Sequence, residues 1–427
     1  MRASRMSPLV QCLRAALCSL LLAVVAPPDA AAQPAAPAKV VTVASGLDHP
    51  WGLAFLPDGQ MLVTERGGTM RRVSADGQRI SSPLAGLPQV RAAGQGGLLD
   101  VTIDPDFATT PWVYWSYSEA GDGGSGTAVA RGRLQGDALT DVQVIFRQRP
   151  KVGGNGHFGS RFVWAPDKTL WITLGDRQQD SPSRPTKDHS QNPAKHLGKV
   201  IRIQRDGTVP ADNPFINVTG HLPEIYSLGH RNPQSAARHP VTGELWLVEH
   251  GPQGGDEINR VRPGRNYGWP LRSYGCPYGS PVGNQCRVAG GTHAPDFEEP
   301  LTTWVPTSIA PSGMVFYTGR GFPEWQGNLF LGALSGRALW RVVLDGNTVT
   351  SREPLFADSA TAGVGGSMGS RTQLQFSGRA LFGGGTSGSY GDVESVSAGG
   401  ALSVALTRYV NTALTYTYYR QQFADNL

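Results

Sequence analysis

"SRFVWAPDKTLWITLGDR", residues 160–177, holds an alternating apolar run, a Pro-Asp reversal and a second alternating run that ends on Gly-Asp-Arg. Alternation with a period of two is the mark of a strand, and the Pro-Asp pair between two such runs marks a turn. The same plan recurs in "WGLAFLPDGQMLVTERGGTMRRV" (51–73), "LLDVTIDPDFATTPWVYWSYS" (98–118), "QSAARHPVTGELWLVEHGPQGGDEINRV" (234–261) and "GMVFYTGRGFPEWQGNLFLGALSGRALWRVVLDG" (313–346). Spacing of roughly fifty residues is the period of propeller blades rather than of helical solenoids. Five such units between residues 41 and 356 predict an all-β, six-bladed β-propeller whose remaining blade is weaker or shared between the chain ends.

Composition agrees with that reading. With 427 residues the chain is long enough for one large all-β domain, and its 55 glycines and 32 prolines suit many short strands joined by turns. Residues 1–32 read as a signal peptide. Arg2, Arg5 and Arg14 precede the apolar run "ALCSLLLAVVA", and "DAAAQ" offers a small-residue cleavage site near Ala32. The run is short for a membrane span, so the expected location is the periplasm, an uncleaved anchor being the alternative.

Removing this segment takes away three arginines and Asp29, and the formal charge falls from +5 to +3. No basic cluster remains, which argues against nucleic acid and gives no assured membrane partner. Cys276 and Cys286 are then the remaining cysteines; in an oxidising compartment they can close a small disulfide loop, and without a histidine pair they make a poor zinc site.

Propellers bind ligands on loops at one end of the channel, and fold alone names no chemistry. His157, in "GGNGHFGS", is by itself either a catalytic base or a polar residue at a turn, and Asp176 is either its partner or a turn cap. Five motifs carry a resemblance. "GQGGLLDVTIDPDF" (94–107), the His157 segment (153–177), "LGHRNPQ" (228–234), "EHGPQGGDEINRV" (249–261) and "IAPSGMVFY" (309–317) stand in the order seen in soluble quinoprotein aldose dehydrogenases, the glucose/sorbosone dehydrogenase family. The resemblance covers residues 41 to about 356.

That resemblance implies a six-bladed propeller using pyrroloquinoline quinone (PQQ) and calcium (Ca2+), with an aldose sugar as substrate and a separate electron acceptor. It places His157 as the general base at the sugar's C1 hydroxyl, Asp176 as the carboxylate on its other nitrogen, and Arg231 over the quinone beside Asn232. Gln95 falls near substrate and quinone, and the backbone carbonyls of Gly251 and Pro252 fall on the ion. Asp256 and Glu257 read as support for that loop.

Three departures stand out. Gly156 lies where sugar-oxidising relatives can carry an aspartate, and Ser335 lies where glucose-oxidising relatives place a lysine. After "EPLFAD" (353–358) an Arg-x-Arg-Asp-Val segment and closing strand pair are expected, whereas all 32 prolines and all ten tryptophans lie before residue 359. Residues 359–427 read as a replaced Gly-rich, strand-forming tail, whose alternating stretch Leu402 to Phe423 resembles two strands of an outer-membrane barrel. Two strands cannot close a barrel, so the last blade is expected to be incomplete or altered. The competing classes are a carbohydrate-binding propeller without catalysis and a propeller hydrolase, for which no nucleophile pairs with His157.

Overall fold

The structure, a computed structural model, describes residue 38 and residues 41–183, 188–283, 285–335 and 337–356, with the backbone of three strands beyond them. The expected signal segment lies outside the described residues.

Each sequence unit folds into an antiparallel sheet. The first contains β1 (Pro50–Phe55), β2 (Met61–Glu65) and β3 (Thr69–Val73). Next come β4 (Leu98–Ile103), β5 (Trp112–Gly121), β6 (Gly124–Gln135) and β7 (Ala138–Arg147). The third sheet holds β8 (Gly159–Trp164), β9 (Leu170–Leu174), β10 (Lys199–Ile203) and β11 (Ile225–Leu228). The fourth is built from β12 (Pro233–Arg238), β13 (Leu245–Glu249), β14 (Asp256–Val261) and β15 (Thr302–Trp304). The fifth comprises β16 (Pro311–Phe316), β17 (Leu329–Ala333), β18 (Ala338–Asp345) and β19 (Thr348–Leu355). One 3-10 turn, Pro323–Trp325, is the sole helical element among the described residues.

Aspartates make the reversals. In the first sheet Leu56 N–H donates to Gln60 O at 2.8 Å and Gln60 N–H to Asp58 Oδ1 at 3.0 Å. The third repeats this, with Ala165 N–H on Thr169 O at 2.9 Å and Thr169 N–H on Asp167 Oδ1 at 3.0 Å. The carboxylate supplies the acceptor that a strand neighbour would otherwise provide.

Strands buried on both faces carry the sheet-to-sheet packing. Leu62 and Met70 meet Trp115 and Val113, while Tyr114 and Val129 meet Phe162 and Ile172 of the next sheet. Val163 and Trp171 pack with Leu245 and Leu247, and Trp246 and Ile258 with Met314 and Leu331. Finally Tyr317, Phe330 and Leu339 share a cluster with Leu53, Met61 and Val63, joined by Val43, Ala44 and Leu47. Each large apolar side chain so buried contributes about 1.5–3 kcal/mol.

Five blades are present among the described residues, and the expected sixth, the weaker or shared one, is not among them. The tail contains β20 (Gln373–Ala380), β21 (Val396–Leu406) and β22 (Val410–Arg420) in a separate sheet of that order. β21 and β22 overlap the two strands expected within Leu402–Phe423, with β21 beginning earlier, at Val396, and β20 pairs with β21 as a third.

A second device links the blades near the axis. The first strand of each of the five blades carries a register break near its start, between Pro50 and Leu53, Leu98 and Val101, Gly159 and Phe162, Pro233 and Ser235, and Pro311 and Met314. Hydroxyls on the second strand satisfy the displaced groups. Ser116 Oγ accepts from Asp100 N–H and donates to Ser160 O of the next blade, both at 2.9 Å. Thr64 does the same between Gly52 N–H and Leu99 O, and Thr173 between Arg161 N–H and Pro233 O. In the fourth blade Ser235 Oγ instead accepts from Met314 N–H at 2.8 Å.

Candidate active site

Antiparallel pairing puts the start of each first strand and the end of each second strand at one end of the ring. Gly159 pairs with Leu174, Pro233 with Glu249 and Pro311 with Ala333. The residues just outside those pairs therefore share that end: Gln95 before β4, His157 before β8, Arg231 and Asn232 before β12, Asp176 after β9, Gly251 and Pro252 after β13, and Ser335 after β17. All the residues singled out from the motifs lie here.

His157 and Asp176 meet. Nδ1 of the imidazole lies 2.6 Å from Asp176 Oδ1, with both side chains buried. His157 takes a left-handed backbone, φ 49°, a conformation costly for a residue with a side chain and found at functional sites. Its carbonyl needs Gly175 opposite, since a Cβ there would lie 2.2 Å from His157 O. Burial lowers the His157 pKa below its ordinary value; the Asp176 carboxylate opposes this shift, and Arg231 and His250 add to it.

Three groups hold the Asp176 carboxylate, the imidazole and Gln178 N–H (2.8 Å) on Oδ1 and the indole Nε1–H of Trp269 (2.8 Å) on Oδ2. Gln95 Oε1 accepts from His157 N–H at 2.8 Å, so this amide fixes the backbone beneath the base. Gly156 O accepts from Arg177 Nε at 2.9 Å, and a Cβ at Gly156 would collide with the Gln178 amide.

Arg231 is anchored by its backbone, its N–H donating to Glu249 Oε2 at 2.7 Å. Glu249 Oε1 is in turn bonded to His230 Nδ1 at 3.0 Å and Asn259 Nδ2 at 3.1 Å. The guanidinium donates from Nη1 to His250 O at 3.1 Å and from Nη2 to Tyr278 Oη at 2.9 Å. Its Nε is buried without a hydrogen-bond partner. An unpaired buried donor beside a positive charge suits an anionic or carbonyl ligand. Asn232 is less available, because its Oδ1 accepts from Gln234 Nε2 at 2.8 Å.

The Gly251 loop is rich in backbone oxygen. A Cβ at Gly251 would lie 2.1 Å from Gly254 O, so only glycine permits this tight turn. Asp256 is committed to the loop: Oδ1 accepts from Gly251 N–H at 3.0 Å, and Oδ2 accepts from Ser308 Oγ at 2.6 Å, Ile309 N–H at 2.8 Å and Ala310 N–H at 3.0 Å. Glu257 is buried and accepts from Asn259 Nδ2 at 2.9 Å, and burial beside Glu249 drives its pKa well above the usual carboxyl range. Among the described residues no cluster of three or more His, Cys, Asp or Glu side chains is placed to hold a metal; backbone carbonyls are the donors that Gly251 and Pro252 can offer a hard cation.

Cys276 and Cys286 are joined in a disulfide. Their loop is stitched to the Gly251 turn by Cys276 N–H on Gln253 O at 2.9 Å and Gln253 N–H on Cys276 O at 3.2 Å, and it delivers Tyr278 to Arg231. Trp269 and Tyr278 escaped the reading of motifs, and Glu249, though it opens one, was given no role. The string "NYGWP" beside the cysteines was the available signal, but nothing in it names a partner 93 residues away.

A buried His-Asp pair, an arginine with an unpaired donor and a tight glycine turn gathered at one end define the class as an all-β propeller with a polar cluster at that end. The chain matches the Glucose / Sorbosone dehydrogenase family over residues 47–362, and it belongs to that family. It is 46% identical over 330 residues to aldose sugar dehydrogenase YliI of Escherichia coli, covering 76% of this chain and 86% of that protein. Quinoprotein glucose dehydrogenase B of Acinetobacter calcoaceticus is 32% identical over 249 residues, covering 53% and 51%. Among solved structures, the PQQ-bound aldose sugar dehydrogenase of Streptomyces coelicolor is 29% identical with TM-score 0.63, covering 81% of this chain and 93% of that one.

Proposed function

We propose that this protein oxidises aldose sugars at C1 to the lactone, using PQQ and calcium, in the periplasm. The observation that carries this reading is the buried His157-Asp176 pair at 2.6 Å, set beside Arg231 with its unpaired Nε. The names of the relatives support the substrate class, and the PQQ-bound relative supports the cofactor.

Bound quinone supplies the acceptor for the C1 hydride. His157 Nδ1 is engaged by Asp176, so Nε2 takes the proton of the C1 hydroxyl, leaving C1 as the carbonyl of the lactone. Asp176 holds the imidazole orientation and stabilises the imidazolium as it forms. Arg231 would supply a positive charge to offset negative charge on the bound cofactor. Gln95 fixes the His157 backbone and would orient substrate or quinone, Asn232 lies at the same end, and the carbonyls of Gly251 and Pro252 would hold the calcium ion.

A second reading, a carbohydrate-binding propeller without turnover, is favoured by one observation. Ser335, after β17, offers a hydroxyl where a cofactor contact in relatives is cationic. Reconstituting the protein with PQQ and calcium and adding an aldose with an artificial electron-accepting dye separates the two. Sugar-dependent dye reduction establishes the dehydrogenase; sugar binding without reduction, at saturating PQQ, establishes the binding module.

A further inference from the structure

Several tryptophans in this protein fill space: Trp115, Trp171, Trp246 and Trp304 are buried and Trp340 half-buried, each with a buried indole N–H that has no partner among the described residues. Trp269 differs. It is 5% exposed, its Nε1–H reaches Asp176 Oδ2 at 2.8 Å, and its ring lies 5.2 Å from the Arg231 guanidinium carbon. Its own backbone is pinned, with N–H on Gly229 O at 2.9 Å and its carbonyl accepting from Gln191 Nε2 at 2.7 Å.

We propose that Trp269 is a positioning residue for the base: its indole N–H locks the Asp176 carboxylate, and through it the His157 imidazole. The argument is geometric and rests on the reading of His157 as the base. Two of the three bonds to Asp176 meet on Oδ1, so they fix one oxygen and leave the carboxylate free to pivot about it. The bond from Trp269 is the one that fixes Oδ2. The same ring stands beside Arg231, so one rigid side chain registers the proton acceptor on the third blade with the guanidinium on the fourth.

Removing the N–H while keeping an aromatic ring, Trp269→Phe, has a definite sign. The carboxylate loses a donor, becomes more negative toward Nδ1 and holds the imidazolium better, so His157 titrates at higher pH. Arg231, Arg177 and His250, which also face this pair, are unchanged. The acid limb of turnover moves to higher pH with it, and turnover falls by about ten- to hundredfold, the size of effect seen when the outer hydrogen-bond partner of a metal-bound histidine is lost. Sugar KM stays within about twofold.

The test is an NMR titration of the His157 imidazole in apoprotein of wild type and Trp269→Phe, alongside turnover of both in the reconstituted protein. A raised His157 pKa with reduced turnover supports the proposal. A folded variant whose His157 titration is unmoved overturns it. Should Trp269→Phe not fold, the indole N–H of Trp269 is followed in Asp176→Asn, where it must shift and exchange faster; an unmoved resonance overturns the proposal equally. His157→Ala separates this from the reading beneath it, for full turnover in that variant removes the base while leaving the Trp269 coupling to stand or fall on the titration.

Discussion

Asp176 N–H donates to Arg231 O at 2.8 Å, so the partner of the imidazole and the arginine of the neighbouring blade are joined through the backbone as well as through Trp269. Asp176→Asn keeps the size and the backbone bond but presents the wrong group to Nδ1. Turnover is expected to fall by up to about 10⁴-fold, as when a triad aspartate is replaced, with quinone binding retained. Steady-state kinetics with a quinone titration check this, and near-normal turnover would remove Asp176 from the mechanism.

His157→Ala is expected to lower turnover about 10²- to 10⁴-fold with the fold and cofactor binding intact. In the native protein burial holds the imidazole below its ordinary value, so the base form prevails at neutral pH. The acid limb of kcat/KM should therefore lie below pH 6.5. An acid limb above that value would contradict the assignment.

The same shift acts on stability. Folded His157 and His196 both have pKa values lowered by burial, so the unfolded chain binds more protons than the folded one. Stability contributed by the neutral rings is present above the unfolded value of 6.5 and is lost as pH falls below it toward the folded values. Thermal unfolding between pH 7.5 and 5, about the range in which histidine changes charge, should show Tm falling on the acid side, and less so in His157→Ala.

Gly175→Ala tests the close approach at the base. The new methyl would lie 2.2 Å from His157 O, and the carbonyl can yield only by moving the imidazole away from Asp176. Destabilisation of about 1–3 kcal/mol is expected, with a loss of turnover larger than the loss of stability accounts for. Calorimetry and kinetics on one preparation would show it; unchanged values in both would mean the turn relaxes without disturbing the pair.

Calcium should raise Tm, because an ion bound to the native state alone stabilises it by about 2.7 kcal/mol at a hundred times its Kd. Chelation should reverse this and abolish quinone-dependent turnover. Activity surviving with the metal absent by elemental analysis would refute the role given to Gly251 and Pro252.

Ser335→Lys should tighten quinone binding. One added charge-assisted hydrogen bond contributes about 1.5–3 kcal/mol, or roughly ten- to hundredfold in Kd. Titration of the two apoproteins with PQQ decides it, and equal affinities would show that this position does not face the cofactor.

Much of this molecule could be read along the chain, and for a local reason. Alternation in "SRFVWAPDKTLWITLGDR" and the Asp turn inside it are properties of neighbouring residues, so the strands β8 and β9 and their reversal follow from eighteen letters. The motifs likewise located Gln95, His157, Asp176, Arg231 and Asn232, because each sits immediately beside a strand end that the repeat had already marked. Packing between the first and last of the five sheets was out of reach, because the cluster that Tyr317 and Phe330 share with Leu53 and Met61 joins residues more than 250 positions apart, which no local period encodes. The partners of the polar groups were hidden for the same reason: Asn232 accepts from Gln234, Tyr278 reaches Arg231 on a disulfide loop, and Trp269 reaches Asp176 across 93 residues. Residue type limits what a side chain can donate or accept, but only the folded ring brings a particular donor within hydrogen-bond reach of a particular acceptor.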